Sequence, residues 1–268
     1  MKKYLCSFGN KALSKGFLRL KNQVEELDIF DKTFFYTESN LNKEFKKKFK
    51  KYLIPYSRGF GYWCWKPQII LQTLNMMDTN DILLYMDIGS HLNVNGKKRL
   101  LEYFDIVNNS ETGILAFRSP IHLERELTKM DIFEYYGVAE DKFYTDTTQI
   151  ENGHIFIKKN ETSVSFIKEW LQAYYDDYSL ATDKPSKTKN FDDFRENRHD
   201  QSLFSILGKR NNITTLSTDE TYSIDWSTMG DFPLLAKRDK VYKNEFSSRY
   251  RRGLGGIYRR LWKLLYSR

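Results

Sequence analysis

The sequence predicts an α/β protein: a mostly parallel sheet with helices on both faces over residues 1–240, followed by a basic amphipathic helix over 241–268. Three observations predict it. Short apolar runs alternate with stretches of helical periodicity, the pattern made when parallel strands are joined by crossover helices. The run 82–86 (ILLYM) is apolar at every position, as in a strand covered on both faces. And 268 residues with 16 % aromatic content can bury a thick core without a disulfide or a structural metal.

Taken in order, residues 3–8 (KYLCSF) read as the first strand, closed by Gly9, and 32–37 (KTFFYT) as the second. A helix at about 15–27 joins them, which makes a βαβ opening. The six lysines between Asn42 and Lys51 read as the solvated face of a helix. Residues 58–67 (RGFGYWCWKP) form a loop that is glycine-rich at its start and aromatic at its end. Pro67 suits the first turn of a helix, where its missing N–H costs little. Ile70, Leu71, Leu74 and Met77 then keep helical spacing, and 78–81 is a turn before the apolar strand. Further strands are predicted at 113–117 and 154–157 and helices at 163–175 and about 200–209. The polar stretch 176–198 is expected to be a mobile loop.

Composition removes several classes of function. Cys6 and Cys64 form no CxxC pair, so no zinc site is expected and the thiols are expected reduced, in the cytosol. The start MKKYLCSFGN lacks the apolar core of a signal peptide. Of the 43 basic residues, seven lie in 247–268 with no acid beside them, which leaves 36 against 35 acids in the rest. A nucleic-acid binder more often spreads its charge over the folded domain, so nucleic acid is not the expected partner. In the tail, Ile257, Tyr258, Leu261, Trp262, Leu264 and Leu265 alternate with arginine and lysine, which suits a helix lying on the anionic inner face of the cell membrane. Docking on the domain, or on a second copy in a homo-oligomer, is the competing cover for that face.

The chemistry-bearing residues cluster in three places. Asp87 ends the buried strand, and open α/β sheets bind ligands at the carboxyl edge of their strands. A carboxylate there can hold Mg²⁺ or Mn²⁺ or simply cap a turn. In the segment 198–202 (RHDQS), Asp200 is either a general base or the cap of a helix, and His199 a metal ligand or phosphate contact. In 149–154 (QIENGH), Glu151, Asn152 and His154 are candidates for hydroxyl contacts, against a tight turn at Asn152–Gly153. Trp63 and Trp65 stack on a sugar or pack the core.

The strand ending in YMDIG, with the helix before it, resembles the region around the DxD motif of GT-A fold glycosyltransferases. The arrangement from Lys66 to Gly89 is similar to that of bacterial capsule and O-antigen transferases, which carry a GYWxWKP segment ahead of the strand. The resemblance covers about residues 1–235 and departs from the pattern at Gly89, where the second carboxylate belongs. It implies transfer of a sugar from a nucleotide-sugar donor, UDP-linked, to a glycan or lipid-linked acceptor in surface polysaccharide synthesis. It also implies a divalent metal, Mn or Mg, on Asp87, with His91 or His199 completing its shell, or else a reaction that depends less on metal than in the DxD enzymes. Ser7, Phe8 and Gly9 are then expected at the nucleotide. Arg58, Lys66, Asp87 and Gly89 are expected along the donor, with Lys66 on the diphosphate. Trp63, Trp65, Glu151, Asn152, His154 and His199 are expected at the sugar or acceptor, and Asp200 as the base. The rival is a non-catalytic basic peripheral protein that binds anionic lipid or nucleic acid. A phosphotransferase is disfavoured because no GxxxxGK[ST] loop is present.

Overall fold

The computed structural model describes residues 1–10, 13–55 and 57–238, so the basic tail predicted over 241–268 lies outside the described residues. Strand β1 (Lys3–Phe8) leads through helix α1 (Ser14–Leu27) to β2 (Lys32–Tyr36), followed by α2 (Lys43–Lys48), α3 (Trp65–Leu74) and β3 (Ile82–Met86). After the short β4 (His91–Leu92) come α4 (Lys97–Asn109), β5 (Ile114–Leu123) and β6 (Thr148–Lys158). Helices α5 (Glu161–Asp176) and α6 (Asp200–Arg210), then β7 (Thr214–Ser217) and β8 (Leu234–Leu235), follow, and short helical segments at Glu124–Leu127, Met130–Tyr135 and Lys142–Thr145 lie between β5 and β6. The main sheet has six strands in the order β2-β1-β3-β6-β5-β7. All run parallel except β6, which is antiparallel to both of its neighbours.

Strand alternation sorts the core into two layers. Leu83 and Tyr85 of β3 face Ile69 and Ile70 of α3, Trp170 and Tyr174 of α5, and Phe204 of α6. Ile82, Leu84 and Met86 face Leu20 and Val24 of α1 and Tyr103 and Phe104 of α4. This is why the run reads as continuously apolar. The expected mostly parallel sheet covered on both faces is therefore present. Sequence periodicity did not find α4, β7 or β8, and β5 and β6 are longer than expected.

Two departures from expectation bear on the site. Strand β6 begins at Thr148, so Asn152 and Gly153 sit inside a strand and not in a tight turn. Its register against β5 jumps from Leu115↔Phe156 to Phe117↔Glu151, so two steps on β5 oppose five on β6. Such a bulge re-aims side chains, and here it frees Asn152 from the β5 ladder. The segment 176–198, expected to be mobile, is anchored. Tyr178, Leu180, Ala181 and Asn197 are buried, and Asn197 Nδ2 donates to the Leu180 carbonyl at 2.9 Å.

The glycine-aromatic segment takes an uncommon form. Gly59, Phe60, Gly61, Tyr62 and Trp63 have φ of 57°, 52°, 91°, 50° and 58°, one turn of left-handed helix. For residues with a Cβ that hand costs about 1–2 kcal/mol each, so three non-glycine residues need outside support. They have it: Tyr178 Oη donates to the Gly61 carbonyl at 2.6 Å, Tyr174 Oη to that of Tyr62 at 3.0 Å, and Trp65 Nε1 to that of Gly59 at 2.9 Å. A Cβ added at Gly59 would lie 2.3–2.5 Å from the Trp63 indole. Gly59→Ala is therefore expected to lower unfolding free energy by about 2–4 kcal/mol in urea denaturation; a change within ~0.5 kcal/mol would contradict the locked turn.

Candidate functional site

The left-handed turn feeds directly into α3, and the second residue of that helix is Lys66. Its stem runs inward between Trp65 and Pro67, and the side chain is only 2 % exposed. The ammonium meets four oxygens: Asp200 Oδ2 at 2.8 Å, Asn152 Oδ1 at 3.0 Å, the Asn152 carbonyl at 3.2 Å and Asp87 Oδ1 at 3.4 Å. It also lies 5.3 Å from the centre of the Tyr85 ring. Burial alone would depress its pKa, but Asp200 and Asp87 together outweigh that and hold it above the ordinary lysine value. The group is an ammonium.

Asp87 stands one residue past β3, at the carboxyl edge of the sheet. Its N–H donates to the Gly153 carbonyl at 2.9 Å, which extends the β3–β6 ladder by one bond. Tyr85, two residues earlier and so on the same face, donates its hydroxyl to Asp87 Oδ1 at 2.5 Å. Burial, then the Asp87 charge, push that phenol well above its ordinary pKa, so it stays a donor. The carboxylate is 42 % exposed, with Oδ1 fastened and Oδ2 toward Gly153, where even a Cβ would stand 3.6 Å away. The turn that follows is closed by Ser90 N–H donating to the Asp87 carbonyl at 2.9 Å, and Arg19 of α1 donates to the Ile88 and Ser90 carbonyls.

Asp200 opens α6. Its side chain is 6 % exposed, and Oδ2 also accepts from Asn152 Nδ2 at 2.7 Å. Burial lifts its carboxyl above the usual range, and Lys66 and then the Asn152 amide pull it back. On the same edge, half-buried Glu151 is raised by burial against the charges of Arg238, Arg198 and His122. Its side chain has no hydrogen-bond or ion-pair partner among the described residues. His154 is fully buried and its pKa falls to about 4, because burial outweighs the Asp87 charge.

The expected residues therefore divide. Asp87, Lys66, Asn152 and Asp200 come together in one cluster, and Gly89, Glu151 and His154 border it. Within the cluster Lys66 and Asn152 face protein groups, and the remaining expected residues are engaged elsewhere. Lys66 directs its hydrogens to oxygens of the protein. Both ends of the Asn152 amide are used on Lys66 and Asp200, so it is a tie and not a hydroxyl contact. Arg58 is paired with Asp183 at 2.9 Å, and the Tyr62 hydroxyl donates to the same carboxylate at 3.2 Å. Trp65 is buried and stacked on Phe8 with centroids 4.0 Å apart. Trp63 is half-buried, with the His199 ring stacked 5.5 Å away and the backbone of Gly59 close to its indole. Ser7 and Phe8 are buried, and Gly9 donates its N–H to the Tyr36 carbonyl at 3.0 Å.

The expected metal does not fit this donor set. His91 lies on β4 with Nδ1 3.4 Å from Gln23 Nε2. His199 turns Nδ1 to the Ala181 carbonyl at 2.7 Å and Nε2 toward Asp183 at 3.7 Å. Burial, then the Arg58 charge, bring its pKa to about 4. Neither is among the groups around Asp87, and Gly89 supplies no second carboxylate. Among the described residues no three His, Cys, Asp or Glu side chains gather as a ligand set.

Two features went unseen in the sequence. Tyr85 was legible in principle, since a tyrosine two residues before a strand-end aspartate shares its face. The buried pair Lys209–Glu124, 3.1 Å apart with both side chains fully buried, has no such signal.

No family model and no curated protein matches the chain. Similar solved structures include mouse xyloside xylosyltransferase 1 in its apo form, at 12 % identity over 86 % of this chain and 93 % of that one, with a TM-score of 0.46. A glycosyltransferase involved in glycosylation of the major capsid of PBCV-1 is similar at 12 % identity, over 88 % and 93 %, with a TM-score of 0.46. A galactosyltransferase solved with donor and acceptor sugar analogues is similar at 11 %, over 82 % and 74 %, with a TM-score of 0.42. At these scores the similarity assigns neither a reaction nor a residue role.

The His154 imidazole has its pKa at about 4 in the fold against 6.5 ordinarily, so as pH falls the unfolded chain takes the proton first. The stability this group contributes is complete above about pH 6.5 and is lost progressively toward pH 4. His154→Gln should lose about 2 kcal/mol less than the parent between pH 7 and pH 5 in urea titrations. Equal losses in the two proteins would contradict a neutral buried His154.

Proposed function

We propose that the chain is a glycosyltransferase that moves a sugar from a nucleotide-sugar donor, UDP-linked, to a glycan or lipid-linked acceptor in bacterial surface polysaccharide synthesis. The observation that carries this is Asp87. It is a carboxylate at the carboxyl edge of a mostly parallel sheet, held at Oδ1 by Lys66 and Tyr85 and open at Oδ2. The YMDIG resemblance supports the same choice of reaction. Transfer breaks the bond from the sugar's anomeric carbon to the diphosphate and forms one to an acceptor hydroxyl, whose proton must leave. A fixed carboxylate with one free oxygen can accept a hydrogen bond or that proton from a hydroxyl.

Asp87 thus takes the contact with the reacting sugars. Asp200, first expected to be the base, acts through Lys66 by keeping the ammonium in place. The arginines whose charges reach Glu151 at this edge are Arg198 and Arg238, and they are assigned to the diphosphate in place of Arg58 and Lys66. The tail 241–268 is assigned to the anionic inner face of the cell membrane, on the strength of its charge and apolar spacing.

Uridine diphosphate and a panel of UDP-sugars are expected to raise the thermal midpoint, as any ligand of the native state must. Asp87→Asn should slow release of uridine diphosphate from the matching donor by at least about 100-fold, in the range found when a proton-transfer group is removed. The chain truncated after residue 240 should bind uridine diphosphate unchanged but no longer sediment with anionic vesicles. If no nucleoside diphosphate stabilises the protein, the transferase proposal fails.

A further inference from the structure

Nζ of Lys66 sits inside a cage of oxygens. Two carboxylates, one amide oxygen and one backbone carbonyl, from Asp87, Asp200 and Asn152, all lie 2.8–3.4 Å from a single point. Carboxylate, amide and carbonyl oxygens converging on one point are what hard cations such as Mg²⁺ and Ca²⁺ take as ligands. In this chain the point is filled by a covalently tethered cation. The bulge in β6 turns the Asn152 oxygens to it, the left-handed turn and the start of α3 deliver the lysine stem, and the first residue of α6 closes it.

We propose that the Lys66 ammonium is the resident cation of the Asp87 site, standing where a divalent ion would stand, so that the donor binds without a metal. This rests on the transferase reading for the identity of the donor but not for the cation itself. Gly89 belongs to the same exchange. A second carboxylate at that position would serve a divalent ion, and the cage already supplies two carboxylates to one ammonium. A divalent ion on the open Oδ2 of Asp87 would have to face that ammonium, held on Oδ1, at close range. Charge balance also changes. A tethered single charge offsets one of the two carboxylates and leaves no excess for the diphosphate, which then depends on cations outside the cage.

Mn²⁺ titration of the full chain, followed by the electron paramagnetic resonance signal of the free ion, tests this without any turnover. The parent should bind no stoichiometric Mn²⁺ below millimolar concentration. Its stabilisation by uridine diphosphate should be the same in Mn²⁺ and in a chelator. Lys66→Ala empties the cage and should bind Mn²⁺ at least tenfold more tightly than the parent, with a rise in thermal midpoint that the parent lacks. One Mn²⁺ held at micromolar concentration by the parent and lost in Asp87→Asn would overturn the proposal, as would folded Lys66→Ala with no gain in affinity. Should Lys66→Ala not fold, the parent and Asp87→Asn titrations decide. If uridine diphosphate binds nowhere, the transferase assignment fails while the Mn²⁺ result still stands or falls alone.

Discussion

The site and much of the fold depend on one buried ammonium. Lys66 links α3 to β3 through Asp87, to β6 through Asn152 and to α6 through Asp200. Lys66 and Asp200 are buried, so they rely on each other and on Asn152 for charge and hydrogen bonds. Deleting one member of such a set leaves an uncompensated charge in a poor dielectric, which costs far more than the intact pair contributes relative to an apolar replacement. The arrangement is therefore better at fixing one geometry than at adding stability. That geometry is a carboxylate held by one oxygen and open at the other.

Helix α6 shows how the scaffold guards the arrangement. Its first residue, Asp200, is bound by Lys66, and its tenth, Lys209, is bound by Glu124. Glu124 in turn accepts from Ser205, Thr128 and Gln149, so the second pair is embedded in a satisfied polar network. Buried polar groups that are fully hydrogen-bonded specify position well. With both ends pinned, α6 cannot slide along the sheet without breaking a buried ion pair. On the other side, the left-handed turn at 59–63 is held by hydroxyls from α5 and the residues just after it, so the start of α3 is fixed as well.

The strand that carries Asp87 was legible because burial on both faces leaves an unbroken apolar run, and five apolar residues stopping at an aspartate mark where such a strand reaches the sheet edge. Asp200 was legible as the first residue of a helix. Its partner was not, because Lys66 reads as a cation for the diphosphate, and only the depth of α3 against the sheet shows it turned to Asp200. The role of Asn152 was hidden for a related reason. The pair Asn152–Gly153 has the composition of a turn, whereas the β6 bulge absorbs it into a strand. Left-handed backbone at Phe60, Tyr62 and Trp63 carries no mark in residue type beyond the two glycines, since it is imposed by distant phenols. The buried Lys209–Glu124 pair joins residues 85 positions apart in sequence, and nothing local records it.

The central claim is that Lys66 and Asp200 form a mutually dependent buried pair, and a double-mutant cycle measures that dependence most directly. Unfolding free energies in urea for the parent, Lys66→Met, Asp200→Asn and the double variant give the coupling. Each single change should cost about 3–5 kcal/mol, because it leaves the other charge buried and unpaired. The double variant should cost no more than either single one. Costs that simply add would show that the two residues act independently, and would contradict the account.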